Sequence, residues 1–288
     1  MGDDLTTTLV TGASGYLGSR VLRLLRARGV EAIGVARSTH PGLLACDLAD
    51  PRAASELLRS VQPTAIVHCA AVVPRHAEEY ADAGNAEASL RMVETALQLK
   101  PKRFIFASSM SVYPDGVLTA REEDATPSGN VYAARKLEAE SLLLGHSSMS
   151  VSILRLPGLF GPPRRGGVLF NAALAFTKGQ PFRLLEPVPR WSALHVDDAA
   201  GVMVRALELP RATHVMNVGY PGRMAVADAV AQLARMFERV WAAPVPVWFE
   251  FDLSRLHRLL GPVGSSFAVR LREIASWARE VALETVDD

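Results

Sequence analysis

The stretch Thr8-Leu9-Val10-Thr11-Gly12-Ala13-Ser14-Gly15-Tyr16-Leu17-Gly18 constrains this chain more than any other. A short β-prone run ends at Thr11, three glycines follow at a spacing of three, and a helical pattern begins at once. Val21, Leu22, Leu24 and Leu25 then recur on one helical face until Gly29 stops the helix. A strand–turn–helix of this kind aims backbone N–H groups and a positive helix N-terminus at one point, which suits a pyrophosphate. Glycine is required where a side chain would block the approach of backbone to ligand. Taken alone, the spacing also fits an ordinary tight turn, so the flanks have to decide.

The flanks alternate strand and helix. Strands are expected at Glu31–Ala36, Leu43–Cys46, Thr64–Cys69 and Arg103–Ser108, with helices from Pro51 to Val61 and over about Glu87–Leu99. That alternation predicts parallel βαβ units with helices on both faces of one sheet. Right-handed crossovers place every strand C-terminus on one edge, where open α/β sheets bind ligands. A helix at about Asn130–Leu144 leads into a strand at Val151–Leu156. Beyond Pro157 the pattern loosens around Gly158, Gly161, Pro162, Pro163, Gly166 and Gly167. Helices are expected at Val168–Lys178, Val196–Leu207, Ala225–Phe237 and Phe267–Val281, and short strands near Phe182–Leu185 and His214–Val218. The fold class read from this is α/β: a doubly wound parallel sheet domain over residues 1–157. A smaller substrate-facing lobe over 158–288 is partly interleaved with it.

Bulk chemistry excludes several classes. Thirty-one basic and 30 acidic residues leave a net charge of +1, with no electrostatic footprint for nucleic acid or an anionic membrane. No window holds eighteen unbroken apolar residues, and Met1–Leu5 are acidic, so neither a membrane span nor a signal peptide is expected. Cys46 and Cys69 sit in apolar contexts and read as free buried thiols in a reducing cytoplasm. The seven histidines are scattered, without a pair at helical ligand spacing, so no metal is expected. His195, Asp197 and Asp198 resemble a metal cluster only superficially. There Asp197 is expected to cap the next helix, with the histidine structural. The segment His76–Glu79 reads as a polar loop, Trp191 as lobe packing, and Arg164-Arg165 as a solvated turn or a phosphate contact.

Chemistry concentrates on Tyr132 and Lys136, four apart and therefore one turn apart on one helical face. A phenol titrates near pH ~10. A neighbouring ammonium and a positive nicotinamide ring would favour the phenolate. Tyr132 could then pass a proton to or from a substrate oxygen as hydride moves. Ser108 and Ser109 end the preceding strand on the edge where the glycine loop opens, and a serine there can donate to the same oxygen. A Tyr/Lys pair at this spacing is ordinarily a solvated helix face. The order of glycine loop, strand-end serine, then tyrosine and lysine is what distinguishes it.

With these residues in place the chain resembles the extended short-chain dehydrogenase/reductases, the NAD-dependent epimerase/dehydratase family, which have a Rossmann-type fold. The resemblance runs nearly end to end. Thr11–Gly18 matches the TGxxGxxG loop, Asp47-Leu48 the pair on the adenine side, and His68-Cys69-Ala70-Ala71 the HxAA strand end. Asn85 resembles the family's helical asparagine. Phe106–Tyr113 aligns with the serine segment, Tyr132 and Lys136 with YxxxK, Arg155–Pro162 with RPxNVYGP, and Arg190–Asp198 with the R…HVDD segment. The tail, Asp252–Leu260 and Phe267–Trp277, is similar to the closing helices. The resemblance implies Ser109, Tyr132 and Lys136 as the catalytic set. It implies cofactor contacts from Gly12, Ser14, Gly15, Tyr16, Leu17, Arg37, Asp47, Leu48, Ala70, Ala71, Tyr132, Lys136 and Leu156, and substrate contacts from Ser109, Met110, Ser111 and Arg190. A homodimer is the family-based expectation.

Cofactor and reaction are narrowed by single positions. NAD users of this fold place an acid at the end of the second strand, whereas this strand ends in Arg37. A guanidinium attracts a 2′-phosphate, so NADP is expected, with NAD as the alternative. No Asp-Glu pair follows Ser109, which argues against a 4,6-dehydratase. Ser111 and Pro163 stand where 3,5-epimerase/reductases carry cysteine and histidine. Hydride transfer at a carbonyl or alcohol carbon remains: a ketoreductase or 4-epimerase acting on a nucleoside diphosphate sugar. Gly158 in place of an asparagine, and Ala243–Val247 in place of Arg-x-Gly-Asp, keep a smaller carbonyl substrate open. A dinucleotide-binding protein without catalysis is the third reading, disfavoured by the intact Ser109, Tyr132 and Lys136.

Overall fold

The computed structural model describes residues 7–71, 83–98, 100–126, 131–145 and 148–284, with backbone only over 83–89. Expectations at His76–Glu79 and at Asn130, and the side chain of Asn85, lie outside the described residues.

A seven-stranded parallel sheet forms the centre. In chain order its strands are β1 (Thr8–Thr11), β2 (Ala32–Ala36), β3 (Leu44–Ala45), β4 (Ala65–His68), β5 (Arg103–Ser109), β7 (Ser150–Leu156) and β10 (Thr213–Asn217). Their spatial order is β10-β7-β5-β4-β1-β2-β3. The order reverses between β1 and β4, so the loops leaving these two strands diverge and open a crevice. Both strands are fully buried runs, TLVT and AIVH, as expected of parallel strands covered on both faces. Thr11 and His68 are register partners. The Thr11 hydroxyl meets His68 Nδ1 at 2.9 Å and accepts from the Ala70 amide at 3.2 Å, tying the two loops together at their roots.

Helices α1 (Tyr16–Ala27), α2 (Pro51–Val61), α3 (Ala83–Leu97) and α4 (Val131–Leu144) cover the sheet. In α1 the buried residues are Leu17, Gly18, Val21, Leu22 and Leu25; of the face read from the sequence, Val21, Leu22 and Leu25 are buried and Leu24 is half-buried. Asp50 caps α2, its carboxylate accepting from the amides of Arg52 (2.9 Å) and Ala53 (3.4 Å), with Pro51 in the first turn. The later helices are α5 (Val168–Thr177), α6 (Val196–Arg205), α7 (Val226–Met236), α8 (Ser254–Leu260) and α9 (Phe267–Glu284). Helix α6 packs along α1, and β10 joins the main sheet, so the second half of the chain threads back through the first.

Four short strands are absent from the sequence reading: β6 (Thr119–Ala120), β8 (Gly158–Phe160), β9 (Ala193–His195) and β11 (Glu250–Phe251). They form two small parallel ladders, β6 with β11 and β8 with β9. Pieces of two or three residues are too short for a period to show. The expected strand at Phe182–Leu185 is not formed. Prolines stand at 181, 187 and 189, and this segment instead packs Phe182 on Phe176, ring centroids 6.1 Å apart, while its carbonyl accepts from Trp241 Nε1 at 2.8 Å. Among the described residues no helix is long and apolar enough to cross a membrane.

Candidate active site

Glycine chemistry opens the site. Gly12 adopts φ +65°, and a Cβ there would lie 2.8 Å from the Ala70 backbone. A Cβ on Gly18 would collide with the Gly12 carbonyl oxygen and sit 2.7 Å from its carbon. The loop is thus folded on itself as tightly as backbone allows. Helix α1 begins with no side-chain cap and no acid in its first turn. Its free N–H groups remain available to a pyrophosphate, so the residues present fit a dinucleotide.

One cavity of about 1830 Å³ runs from this loop to the second lobe. Drug-sized ligand pockets span roughly 300–1,000 Å³, so this cavity has room for a dinucleotide and a second molecule together. Gly12, Gly15, Tyr16, Leu17, Ala71, Ser109, Met110, Ser111, Tyr132, Lys136, Leu156 and Arg190 all line it. Ser14, Arg37, Asp47, Leu48 and Ala70 do not. Ser14 and Arg37 are exposed, Arg37 directly after β2 on the glycine-loop edge of the sheet. The Asp47 carboxylate accepts from the Ala49 amide at 3.0 Å, and Leu48 is buried in the core beside Val35 and Cys46. Cys46 is buried and Cys69 half-buried, both free, and Cys69 lines the cavity.

Ser109 ends β5 and caps a 3-10 turn, Met110–Val112. Its hydroxyl accepts from the Ser111 amide at 3.2 Å and lies 2.8 Å from the Ser111 hydroxyl. If Ser111 donates in that pair, the Ser109 proton is left to point into the cavity. Ser108 also borders the cavity, but its hydroxyl is engaged, donating to Glu140 at 2.5 Å. Lys136 is buried, its ammonium donating to the Ala107 carbonyl at 2.9 Å, 4.8 Å over the Phe106 ring and 5.8 Å from the Tyr132 ring. Burial lowers its pKa to about 8, while Glu140 and Cys69 pull in the opposite direction.

The second lobe closes the far wall. Tyr16 donates to the Gly161 carbonyl at 2.5 Å, and Arg20 to that of Pro162 at 2.5 Å. Arg190 donates to the carbonyls of Tyr113 (3.0 Å), Pro114 (2.7 Å) and Val117 (3.3 Å) and lies 5.1 Å over the Phe249 ring. It is as much a strut of the wall as a cation facing the cavity. Arg164, expected either as a solvated turn or as a phosphate contact, is exposed, lines the cavity and lies 5.9 Å over the Tyr16 ring. Trp191 also lines it while packing against Phe267.

The cap of α6 corrects the sequence reading. His195, not Asp197, holds the N-cap, its Nδ1 accepting from the Asp197 amide at 3.3 Å. Asp197 sits in the first turn, where Arg20 (3.5 Å) and Arg23 (3.6 Å) approach its carboxylate. His195, Asp197 and Glu273 bring three potential ligand atoms within 4.8 Å of one another. Asp198 and Glu273 are bound by Arg270, each at 2.8 Å. Three guanidinium groups thus approach three carboxylates there.

Parallel sheet, glycine loop and a Ser/Tyr/Lys-lined cavity define a Rossmann-type, dinucleotide-dependent enzyme. The NAD dependent epimerase/dehydratase family model matches residues 8–219, and the chain belongs to that family. It is 28% identical over 265 residues to a UDP-glucose 4-epimerase of Vibrio cholerae, covering 83% of this chain and 79% of the relative. It is 32% identical over 162 residues to methionine adenosyltransferase 2 subunit beta of Bos taurus, covering 54% of this chain and 48% of that one. A solved structure of the Bordetella bronchiseptica enzyme WbmG, in complex with NAD and UDP, superposes with a TM-score of 0.80 at 20% identity, covering 98% of this chain and 97% of that one.

Proposed function

We propose that the protein transfers hydride at a carbonyl or alcohol carbon of a nucleoside diphosphate sugar, as a ketoreductase or 4-epimerase. Ser109, Tyr132 and Lys136 are the catalytic residues of this reading. The observation that carries it is that these three line the same cavity as the glycine loop. The nicotinamide dinucleotide, when bound, supplies or accepts the hydride. Tyr132 exchanges a proton with the substrate oxygen, and Ser109 donates a hydrogen bond to that oxygen. Lys136 carries its charge below about pH 8 and so favours the Tyr132 phenolate at neutral pH. Gly12, Ser14, Gly15, Tyr16 and Leu17 hold the pyrophosphate. Ala70, Ala71, Leu156 and Lys136 flank the nicotinamide half, and Asp47 and Leu48 the adenine half. Residues 158–288 serve as the substrate lobe, with Met110, Ser111 and Arg190 at its boundary.

For the cofactor we favour NADP. Arg37 stands exposed at the end of β2, with no carboxylate beside it in the sequence to repel a 2′-phosphate. Titration with both reduced cofactors is expected to show tighter binding of NADPH, and Arg37→Asp to reverse the preference by at least ~10-fold. Tighter NADH binding to the unsubstituted protein would overturn this reading.

The sugar-nucleotide reading is supported by the names of the relatives and by a cavity large enough for two ligands. One observation favours a smaller carbonyl compound instead: Arg190 is already committed to three backbone carbonyls. Thermal melts with uridine and thymidine diphosphate are expected to rise by several degrees for at least one of them. Turnover of the matching hexose should accompany the rise. No shift and no turnover with either would assign the protein to the smaller substrates.

A further inference from the structure

Helix α4 carries a third member of the Tyr132–Lys136 face, one turn further on: Glu140. It is 2% exposed, and Arg155, on β7, is 5% exposed. Glu140 Oε2 accepts from an Arg155 terminal nitrogen at 2.7 Å, and Oε1 from Arg155 Nε at 3.1 Å and from the Ser108 hydroxyl at 2.5 Å. Arg155 and Ser108 are register partners on adjacent strands, so two strands grip one carboxylate. The remaining Arg155 nitrogen donates to the Glu122 carbonyl at 2.6 Å and the Tyr113 hydroxyl at 3.1 Å. Tyr113 in turn donates to Asn217 on β10.

This cluster faces the lysine. The Lys136 ammonium is surrounded by the Ala107 carbonyl and Phe106 ring of β5, neutral His68 of β4, Cys69 after β4, and Glu140 of its own helix, with Arg155 of β7 behind Glu140. Helix α4 is therefore fastened to β5 through two successive residues: Lys136 to Ala107 and Glu140 to Ser108. The next residue of β5 is Ser109. A buried ion pair in this position adds little net stability over apolar packing, because both charges lose their water. Its value here lies in fixing where the helix sits and in giving the buried ammonium a nearby anion.

We propose that Glu140, gripped by Arg155 and Ser108, is a positioning residue: it sets Tyr132 and Lys136 against Ser109 and keeps Lys136 charged. The proposal rests on the Ser109/Tyr132/Lys136 reading above.

The chain has only four lysines, Lys100, Lys102, Lys136 and Lys178, so Lys136 can be followed by lysine-labelled NMR. The signal missing in Lys136→Arg identifies it. In the unsubstituted protein its midpoint is expected near pH 8. Removing both buried charges together, as Glu140→Leu with Arg155→Met, avoids stranding either one. That variant should fold and bind dinucleotide within ~3-fold of the parent. Its Lys136 midpoint should fall only modestly, because a cation leaves together with the anion. Its kcat should fall ~10–100-fold with KM little changed. Glu140→Gln, which keeps the shape and the acceptor for Arg155, should move the midpoint in the same direction, and Glu140→Asp should restore most of it. A folded Gln variant with an unmoved Lys136 midpoint, or a folded double variant with an unmoved kcat, overturns the proposal. Failure of the underlying reading has a different signature: Tyr132→Phe would then retain turnover, whatever Lys136 does.

Discussion

Tyr132→Phe is expected to cut turnover by at least ~10³-fold while leaving dinucleotide affinity within a few-fold of the parent. In the proposed mechanism the phenol, which lines the cavity with Lys136 a turn away, exchanges a proton with the substrate oxygen. General acid–base catalysis contributes about 10²–10⁴-fold. Phenylalanine removes only the hydroxyl, so the 8%-exposed ring keeps its packing on α4 and the fold is retained. Steady-state rates with cofactor titrations by fluorescence check both halves of the statement. Undiminished turnover would remove the proposed mechanism, and lost cofactor binding would assign Tyr132 a role in the cradle instead.

Gly18→Ala is expected to be strongly damaging. The added carbon would meet the Gly12 carbonyl group, at 2.7 Å from its carbon and closer to its oxygen, and also Ala13 Cα at 3.2 Å. These are backbone atoms, so no rotamer change relieves the overlap, and the glycine loop has to move off α1. The expected cost is at least about 3 kcal/mol of stability and a drop of ~100-fold or more in dinucleotide affinity. Denaturant unfolding and cofactor titration measure the two effects. Gly29→Ala provides the comparison: a Cβ there meets nothing, although φ +74° still strains it. It should therefore destabilise α1 while leaving cofactor affinity close to that of the parent.

Much of the architecture was legible because it is locally encoded. The stripe Val21, Leu22, Leu24, Leu25 named α1, and β-branched runs named β1 and β4. Asp50-Pro51 started α2 at the expected residue. The short strands β6, β8, β9 and β11 were not legible. Each holds two or three residues, and what makes it a strand is a partner 35 to 131 positions away in register, such as Phe160 opposite His195 or Thr119 opposite Glu250. The α6 cap was misread for a related reason. Aspartate is the stronger capping type in general, but here the helix already starts at Val196, so Asp197 falls in its first turn beside Arg20 and Arg23 and His195 accepts from the Asp197 amide.

The sequence by itself pointed to the class: three glycines after a β-prone run, then a serine, a tyrosine and a lysine in an order that resembles the epimerase/dehydratase family. Those features depend on backbone sterics and helical periodicity, which act over a few residues. The tertiary structure alone decided what each buried charge does. Glu140 is an ordinary helix residue until Arg155 and Ser108 close on it, and Arg190 is a free cation until three carbonyls of the 113–117 loop accept hydrogen bonds from it. A charge removed from water must find its partner in space, and only the folded chain brings that partner within hydrogen-bond reach.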